Sequence, residues 1–182
     1  MAGVAIAGAT GLVGTALAAS CARDGVRVSA LVRDVARAAE RLPSATLHAW
    51  DATRGLPPAA AFEGADVVVN LAGESIADGR WTEARKKLLR DSRVVGTRAL
   101  VDALRGSKDR PRLLISASGT GYYGDRGAEI LTETSPAGTG FLAELARDWE
   151  AEAMKATELG MRVVVMRNGV VLSKSGGILR KI

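Results

Sequence analysis

The feature that most constrains this chain is a glycine-rich turn between its first apolar run and its first helical pattern. A strand is predicted over residues 4–7, the turn runs from Gly8 to Gly14, and a helix is predicted over Leu12–Arg23. Glycine adopts turn angles that other residues resist, and it lets the backbone approach a ligand closely. Because the amides and the dipole at a helix start favour an anion, the turn predicts a phosphate-binding site.

Apolar runs alternate with helical patterns along the rest of the chain. Strands are predicted over residues 26–32, 46–50, 66–71, 112–116 and 162–166, and helices over 34–41, 82–104 and 141–159. Strands that alternate with helices pair in parallel through right-handed crossovers. The predicted fold is therefore α/β, a Rossmann doubly wound parallel sheet of order 3-2-1-4-5-6 with helices on both faces. No domain boundary is evident, so residues 1–182 are predicted to form one domain.

The residue that follows the second predicted strand indicates which dinucleotide this turn would bind. NAD-binding versions of the arrangement carry Asp or Glu there, which bonds the ribose 2′-hydroxyl. This chain has Arg33, and a guanidinium binds a 2′-phosphate in a bidentate way. We therefore predict NADP(H) as the cofactor, while Asp34 is expected to cap the next helix. The predicted contacts with its phosphates and adenosine are Gly8, Thr10, Gly11, Leu12, Val13, Gly14 and Arg33.

Five further stretches carry a resemblance to known proteins. They are Asn70-Leu71-Ala72-Gly73, Arg80-Trp81-Thr82, Arg93-Val94-Val95-Gly96-Thr97, Gly121-Tyr122-Tyr123-Gly124, and Arg167 with Gly169. With the glycine spacing, they resemble the extended or atypical branch of the short-chain dehydrogenase/reductase superfamily. The closer resemblance is to an uncharacterised epimerase-like subfamily related to nucleoside-diphosphate-sugar epimerases, and it spans essentially the whole chain. It implies further cofactor contacts at Leu71, Ala72, Gly73, Glu74, Arg93 and Arg167.

The superfamily's proton relay, which uses Ser or Thr with Tyr and Lys, is only partly matched. Ser118 falls near the serine position, and Thr120 is an alternative if the alignment shifts slightly. Phe141 and Leu145 stand where the Tyr-x-x-x-Lys motif is expected. Neither side chain can move a proton, so the usual relay cannot form there.

The two tyrosines, Tyr122 and Tyr123, are the remaining candidate proton donors. They follow Ser118 in a loop of the kind that borders a substrate, although they would equally serve to shape that loop. Glu74, just beyond the fourth predicted strand, is a candidate base or ribose ligand. Two functions follow as hypotheses. One is an NADP(H)-dependent oxidoreductase or epimerase-type enzyme on an unknown carbonyl or nucleotide-sugar-like substrate, and the other is a non-catalytic NADP(H)-binding regulatory module.

Composition and charge argue against several other functions. The chain has a net charge of +5, but its basic residues are spread along it, so nucleic-acid binding is not expected. With a lone cysteine, Cys21, and a lone histidine, His48, neither a disulfide framework nor a metal site is expected. No apolar run is long enough to span a membrane and no secretory leader is recognisable, so the expected location is the cytoplasm or an organelle matrix.

The chain stops soon after the sixth predicted strand. Extended members of the superfamily continue beyond that strand into a smaller substrate domain, so we expect the N-terminal part of a longer protein. A sheet edge and one wall of the cleft would otherwise stay uncovered. A further domain, or a second copy of the chain in a homodimer, would bury that surface.

Overall fold

A six-stranded parallel sheet forms the centre of the computed structural model, which describes residues 2–174 together with 176 and 177. The sheet order is β3-β2-β1-β4-β5-β6, and each neighbouring pair is parallel. The fold class and strand order predicted from the sequence are therefore confirmed. The strands are β1 (Gly3–Ala7), β2 (Arg27–Val32), β3 (Ala45–Ala49), β4 (Val67–Asn70), β5 (Leu113–Gly119) and β6 (Arg162–Asn168).

Five α-helices cover the sheet within the described part of the chain. Buried clusters lie on both faces of β1 because alternate side chains of a strand point in opposite directions. Val4 and Ile6 pack with Ala18 of the first helix, whereas Ala5 packs with Leu100 of the fourth. All of β1 is buried, as expected for a central parallel strand. The helices are α1 (Leu12–Arg23), α2 (Val35–Arg41), α3 (Glu83–Arg90), α4 (Gly96–Arg105) and α5 (Phe141–Met154).

The helix predicted over residues 82–104 is interrupted, which corrects the sequence-based expectation. A π-helical turn, Asp91–Val95, separates α3 from α4. Such a turn inserts an extra residue into the helical repeat and is frequent at functional sites. Here Ser92, Arg93 and Val94 are all buried, so three consecutive side chains are withdrawn from solvent. The helix predicted over residues 141–159 likewise changes, since α5 gives way to a 3-10 turn over Lys155–Leu159.

Both strands at the β6 edge of the sheet extend past their predicted ends at residues 116 and 166. Their pairing continues with Ser118 opposite Arg167 and Gly119 opposite Asn168. The extension was not predicted because these strand ends contain polar residues, whereas the strands were predicted from apolar runs. It carries Ser118 and Arg167 to the carboxyl edge of the sheet, where ligands of open α/β sheets bind.

A short antiparallel hairpin of β7 (Leu172–Ser173) and β8 (Gly176–Gly177) follows the sheet. The sequence predicted only an open, glycine-rich ending. A Cβ added at Gly176 would come within 3.1 Å of the Leu12 side chain, so the hairpin packs against the first turn of α1. Ile182, beyond which the sequence predicts a further domain, lies outside the described residues. None of the described helices has the length and apolar character of a membrane span.

Candidate functional site

The turn between β1 and α1 requires two of its glycines for steric reasons. Gly8 has a φ of 78°, and a Cβ there would lie 2.6 Å from the Leu71 carbonyl oxygen. A Cβ at Gly14 would lie 2.4 Å from the Gly8 carbonyl oxygen. Backbone therefore approaches backbone at both positions, which leaves no room for a side chain. This is the close packing predicted for a dinucleotide-binding turn.

The start of α1 is suited to an anion. Gly11 is the N-cap in an extended conformation, and among the described residues no side chain caps the helix and no acidic residue lies in its first turn. The first amides of a helix lack intrahelical acceptors and sit at the positive end of its dipole. The turn and helix start therefore fit the diphosphate of a dinucleotide.

A cleft of about 390 Å³ opens beside this turn, at the carboxyl ends of β1 to β4. Leu12, Val13, Gly14, Arg93 and Arg167 are not among the residues that line it, and their predicted cofactor contacts stay predictions. Gly14 is buried and its main role in the structure is the close packing of α1. The predicted cofactor residues that do line the cleft are Gly8, Thr10, Gly11, Arg33, Leu71, Ala72, Gly73 and Glu74.

Sequence analysis missed the part of the cleft formed by α2 and the end of β3. Arg37 and Arg41 line it with Arg33. The four-residue spacing of Arg37 and Arg41 was an available signal, since residues so spaced share a helix face. Asp51 follows β3 and accepts hydrogen bonds from the Thr53 amide and hydroxyl at 2.9 and 2.7 Å. These bonds lower the pKa of Asp51. Asp34 caps α2 as predicted, accepting from the Arg37 amide at 3.0 Å.

Arg33 lies at the rim of the cleft and forms an ion pair across it. Its Nη1 donates to Oε1 of Glu74 at 2.7 Å, although 72% of the Arg33 side chain remains exposed. The two residues follow β2 and β4, which flank β1 in the sheet. The pair therefore links opposite sides of the glycine-rich turn, with the cleft open beside it.

The loop that carries Glu74 is anchored from below by the π-helical turn. The Glu74 amide donates to Ser92 Oγ at 3.1 Å, and its carbonyl oxygen accepts from Arg93 Nη2 at 2.8 Å. Arg93 lies over the Trp149 ring at 5.2 Å, and a Cβ on Gly73 would lie 3.0 Å from its guanidinium carbon. Burial lowers the pKa of Arg93 to about 10. Arg93 thus holds the cleft wall in place by its hydrogen bond to the Glu74 backbone carbonyl.

A second polar cluster brings together the residues proposed to act on substrate. Ser118 Oγ donates to Glu150 Oε1 at 2.6 Å, and Arg167 binds both oxygens of the same carboxylate at 2.9 and 2.8 Å. Arg167 Nη1 also donates to the Tyr123 hydroxyl at 2.9 Å, and its guanidinium carbon lies 3.5 Å from the Tyr122 ring centre. The carboxylate raises the pKa of Arg167. Glu150 joins Ser118 to Arg167 in this network, a role that its position in a helical pattern did not reveal.

This arrangement changes what each hydroxyl offers to a substrate. Ser118 is only 6% exposed and its proton is directed to Glu150. Tyr123 is buried, and since its oxygen accepts from Arg167, its own proton is available to another acceptor. Tyr122 is partly exposed and stacks edge-on against Tyr123, with 5.3 Å between ring centres.

The positions of the usual Tyr and Lys are part of an apolar cluster. Leu145 is buried with Leu89 and Val94, and Phe141 packs beside them. Phe141 also meets Trp81 edge-on, with 5.6 Å between ring centres. At the start of α5, Phe141 and Leu145 therefore have a packing role, whereas the superfamily relay has a tyrosine hydroxyl and a lysine ammonium at these positions. Trp81, which precedes α3, is 40% exposed.

The described residues contain no group of three or more His, Cys, Asp or Glu side chains placed to hold a metal ion.

Comparison with known proteins agrees with this geometry. An epimerase family protein of Mycobacterium bovis is 43% identical over 180 residues, which are 98% of this chain and 56% of that protein. A crystal structure of a nucleoside-diphosphate sugar epimerase from Corynebacterium glutamicum superposes with a TM-score of 0.82 at 40% identity, covering 99% of this chain and 36% of that one. Human epimerase family protein SDR39U1 (isoform 2), solved with NADPH, gives 0.80 at 31% identity, covering 100% and 58%.

The chain spans about half the length of the curated relatives that it matches. Residues 4–180 match the model of the NAD dependent epimerase/dehydratase family. The match covers almost the whole sequence, and the six-stranded sheet and the glycine-rich turn agree with it. This chain belongs to the NAD dependent epimerase/dehydratase family.

Proposed function

We propose that this chain is the NADP(H)-binding domain of an oxidoreductase or epimerase-type enzyme, whose substrate is a carbonyl compound or resembles a nucleotide sugar. One observation carries the proposal: the Arg33 guanidinium lies at the rim of a cleft whose floor is the Gly8 turn. A diphosphate held at the start of α1 would leave the adenosine half of the cofactor on the β2 side of the sheet. Arg33 follows β2, where a 2′-phosphate contact is expected.

The α2 side of the cleft supports NADP(H) over NAD(H). Arg33, Arg37 and Arg41 all line it, and guanidinium groups bind phosphate with bidentate, charge-assisted hydrogen bonds. Asp34, the nearest carboxylate in sequence, is engaged as the cap of α2. The human relative that was solved with NADPH is in keeping with this preference.

The nicotinamide, when bound, supplies hydride transfer, and the protein supplies orientation and proton movement. Leu71, Ala72 and Gly73, which follow β4, form one wall of the cleft, and β5 is the next strand of the sheet. Beyond it, Tyr123 is the hydroxyl that we assign to proton donation, because Arg167 donates to its oxygen. Ser118, whose proton is directed to Glu150, is assigned to holding this network in place.

Cofactor choice and turnover test the proposal separately. The dissociation constants of NADPH and NADH, measured by titration calorimetry, should favour NADPH by at least about tenfold, a difference of about 1.4 kcal/mol. Equal affinities, or tighter NADH binding, would contradict the preference. A screen of carbonyls and nucleotide sugars with NADPH then tests for turnover, which Tyr123→Phe should reduce by about 10²-fold or more.

A non-catalytic NADP(H)-binding module is the second candidate, and the apolar cluster at α5 favours it. Phe141 and Leu145 give the cofactor no proton relay at the usual position. This alternative predicts tight cofactor binding without turnover on any substrate, together with a protein partner whose affinity changes when NADPH is present. Turnover that is lost in Tyr123→Phe would exclude it.

A further inference from the structure

The ion pair between Arg33 and Glu74 points to a second determinant of cofactor choice. Among the residues described, Glu74 is the one side chain that hydrogen-bonds the Arg33 guanidinium. That guanidinium is the group proposed above to bind the 2′-phosphate, so this inference rests on the proposed function. A bound phosphate and the Glu74 carboxylate would have to share one guanidinium.

Glu74 is held in place more firmly than Arg33. Its amide and carbonyl are bonded to Ser92 and Arg93 of the π-helical turn, and its side chain is only 24% exposed. Arg33 is exposed and is attached to the rim through a flexible side chain. The carboxylate is therefore a fixed negative charge beside the group that must receive a second negative charge.

Arg85 of α3 gives this carboxylate another cation. Its Nη1 lies 3.6 Å from Glu74 Oε2, the oxygen that does not bond Arg33. Its Nη2 donates to the Ser75 carbonyl oxygen, and its Nε is buried without a hydrogen-bond partner in the described part of the chain. Arg85 is thus anchored next to Glu74 and retains an unused donor.

The charges lining the cleft are closely balanced. Three arginines, Arg33, Arg37 and Arg41, and three carboxylates, Asp34, Asp51 and Glu74, line it. Asp34 and Asp51 accept hydrogen bonds from nearby backbone amides. Glu74 is the carboxylate that bonds Arg33, the residue proposed to bind the 2′-phosphate. Removing the charge of Glu74 would make the net charge of the cleft lining positive, which favours the binding of anions.

We propose that Glu74 is a specificity-determining residue that competes with the 2′-phosphate for Arg33 and so limits the preference for NADP(H) over NAD(H). Its carboxylate also offers an acceptor to a ribose 2′-hydroxyl, the role that a residue after β2 has in NAD-binding sites. Arg85, which lies beside the other carboxylate oxygen, opposes this effect by partly neutralising the charge of Glu74. Cofactor choice then depends on three side chains from three different elements.

The test compares Glu74→Gln with Glu83→Gln, which removes the same charge from an exposed α3 position outside the cleft. Calorimetric titrations use NADPH, NADH and adenosine 2′,5′-bisphosphate, which carries the 2′-phosphate alone. Glu74→Gln should tighten binding of NADPH and of the bisphosphate by about tenfold and should not tighten NADH, because only the first two place an anion at Arg33. Glu83→Gln should leave all three constants within about twofold of wild type.

Arg85→Met provides an independent variant with the opposite expectation. Without Arg85, less of the Glu74 charge beside Arg33 is neutralised, so the dissociation constant of NADPH should rise by about fivefold while that of NADH changes little. Thermal unfolding establishes that each variant is folded. The proposal fails if both substitutions leave the NADPH/NADH ratio within about twofold of wild type, or if Glu74→Gln weakens NADPH.

The same titrations separate this inference from the proposed function. If wild type prefers NADPH and Arg33→Met abolishes the preference, the proposed function stands, and an unchanged ratio in Glu74→Gln overturns the role of Glu74 alone. If wild type prefers NADH, or Arg33→Met leaves NADPH affinity unchanged, the 2′-phosphate site is overturned. Wild type that binds neither dinucleotide overturns both.

Discussion

Trp149 of α5 donates a hydrogen bond from its indole Nε1 to the buried hydroxyl of Thr97 in α4, at 2.8 Å. The same oxygen accepts from Asn70 Nδ2, also at 2.8 Å. Asn70 in turn accepts from the Ala72 amide through its side-chain oxygen at 3.3 Å. One hydroxyl therefore connects both helices to the end of β4 and to the wall of the cleft.

Replacing Thr97 by Val is predicted to destabilise the protein. The change preserves side-chain shape but leaves the Asn70 amide and the Trp149 indole unsatisfied in a buried site, which costs about 1–3 kcal/mol. Urea unfolding measures the loss. Thr46→Val, the same substitution at an exposed position of β3, should change the free energy of unfolding by less than about 0.5 kcal/mol, and an equal loss in both variants would refute the role of the network.

The close backbone contact at Gly14 in the glycine-rich turn leads to a second prediction. Gly14→Ala would place a Cβ 2.4 Å from the Gly8 carbonyl oxygen, so α1 must move away from the turn. We expect a loss of about 1–3 kcal/mol in stability from this overpacking, together with weaker dinucleotide binding because the amides at the helix start are displaced. Calorimetric titration with NADPH and urea unfolding check the two effects.

Gly106 provides the matched control for Gly14. It follows α4 with ordinary helical angles, and a Cβ there would meet nothing closer than 3.7 Å. Gly106→Ala should therefore be neutral or slightly stabilising, by up to about 1 kcal/mol. If Gly14→Ala binds NADPH as tightly as Gly106→Ala does, the turn does not position the diphosphate.

Local sequence signals predicted the scaffold well because they depend on neighbouring residues. The glycine spacing, the extended run of β4 and the cap at Asp34 each specify their own segment, and together they determined the sheet order. The π-helical turn was missed because its cause is tertiary: burial of Ser92 and Arg93 beneath the Gly73–Glu74 loop. The hydrophobic pattern of residues 82–104 does not indicate that contact.

The sequence predicted the residues that the backbone of the candidate site requires, but it did not predict the ion pairs between its side chains. Gly8, Gly11 and Arg33 were identified because each satisfies a requirement of the turn or the strand end. Pairs such as Arg33 with Glu74 join residues far apart in sequence, and a single sequence does not indicate which charges meet. For the same reason, the hydrogen bond from Ser118 to Glu150 was not predicted.

The Ser118 hydroxyl leads to a third prediction. Ser118→Ala removes a buried hydrogen bond to a carboxylate, and hydrogen bonds to charged groups contribute about 1.5–3 kcal/mol to stability. In a Glu150→Gln background the same substitution should cost less than half as much, because the charged acceptor is gone. A double-mutant cycle by urea unfolding measures this coupling. Additive losses would mean that Ser118 and Glu150 act independently, despite their 2.6 Å contact.

Glu152 of α5 predicts how stability depends on pH. Burial raises the pKa of this carboxyl, but hydrogen bonds from Arg98 at 2.6 Å and Lys155 at 2.8 Å outweigh that effect, so the folded-state pKa is lowered from 4.5. A lowered folded-state pKa means that the charged form stabilises the fold. The contribution is complete above the unfolded-state pKa and is lost as the pH falls through the folded-state value.

Glu152→Gln should therefore lower stability near pH 7, by about 1 kcal/mol given the partly exposed cations. The difference from wild type should shrink as the pH falls through the lowered folded-state pKa. Urea unfolding at pH 7 and pH 3 provides the comparison. Glu83→Gln, which alters an 89% exposed carboxylate in α3, should match wild type at both pH values. A Glu152→Gln deficit that persists undiminished at pH 3 would show that the loss comes from packing, since protonated wild type no longer carries the charge that Arg98 and Lys155 stabilise.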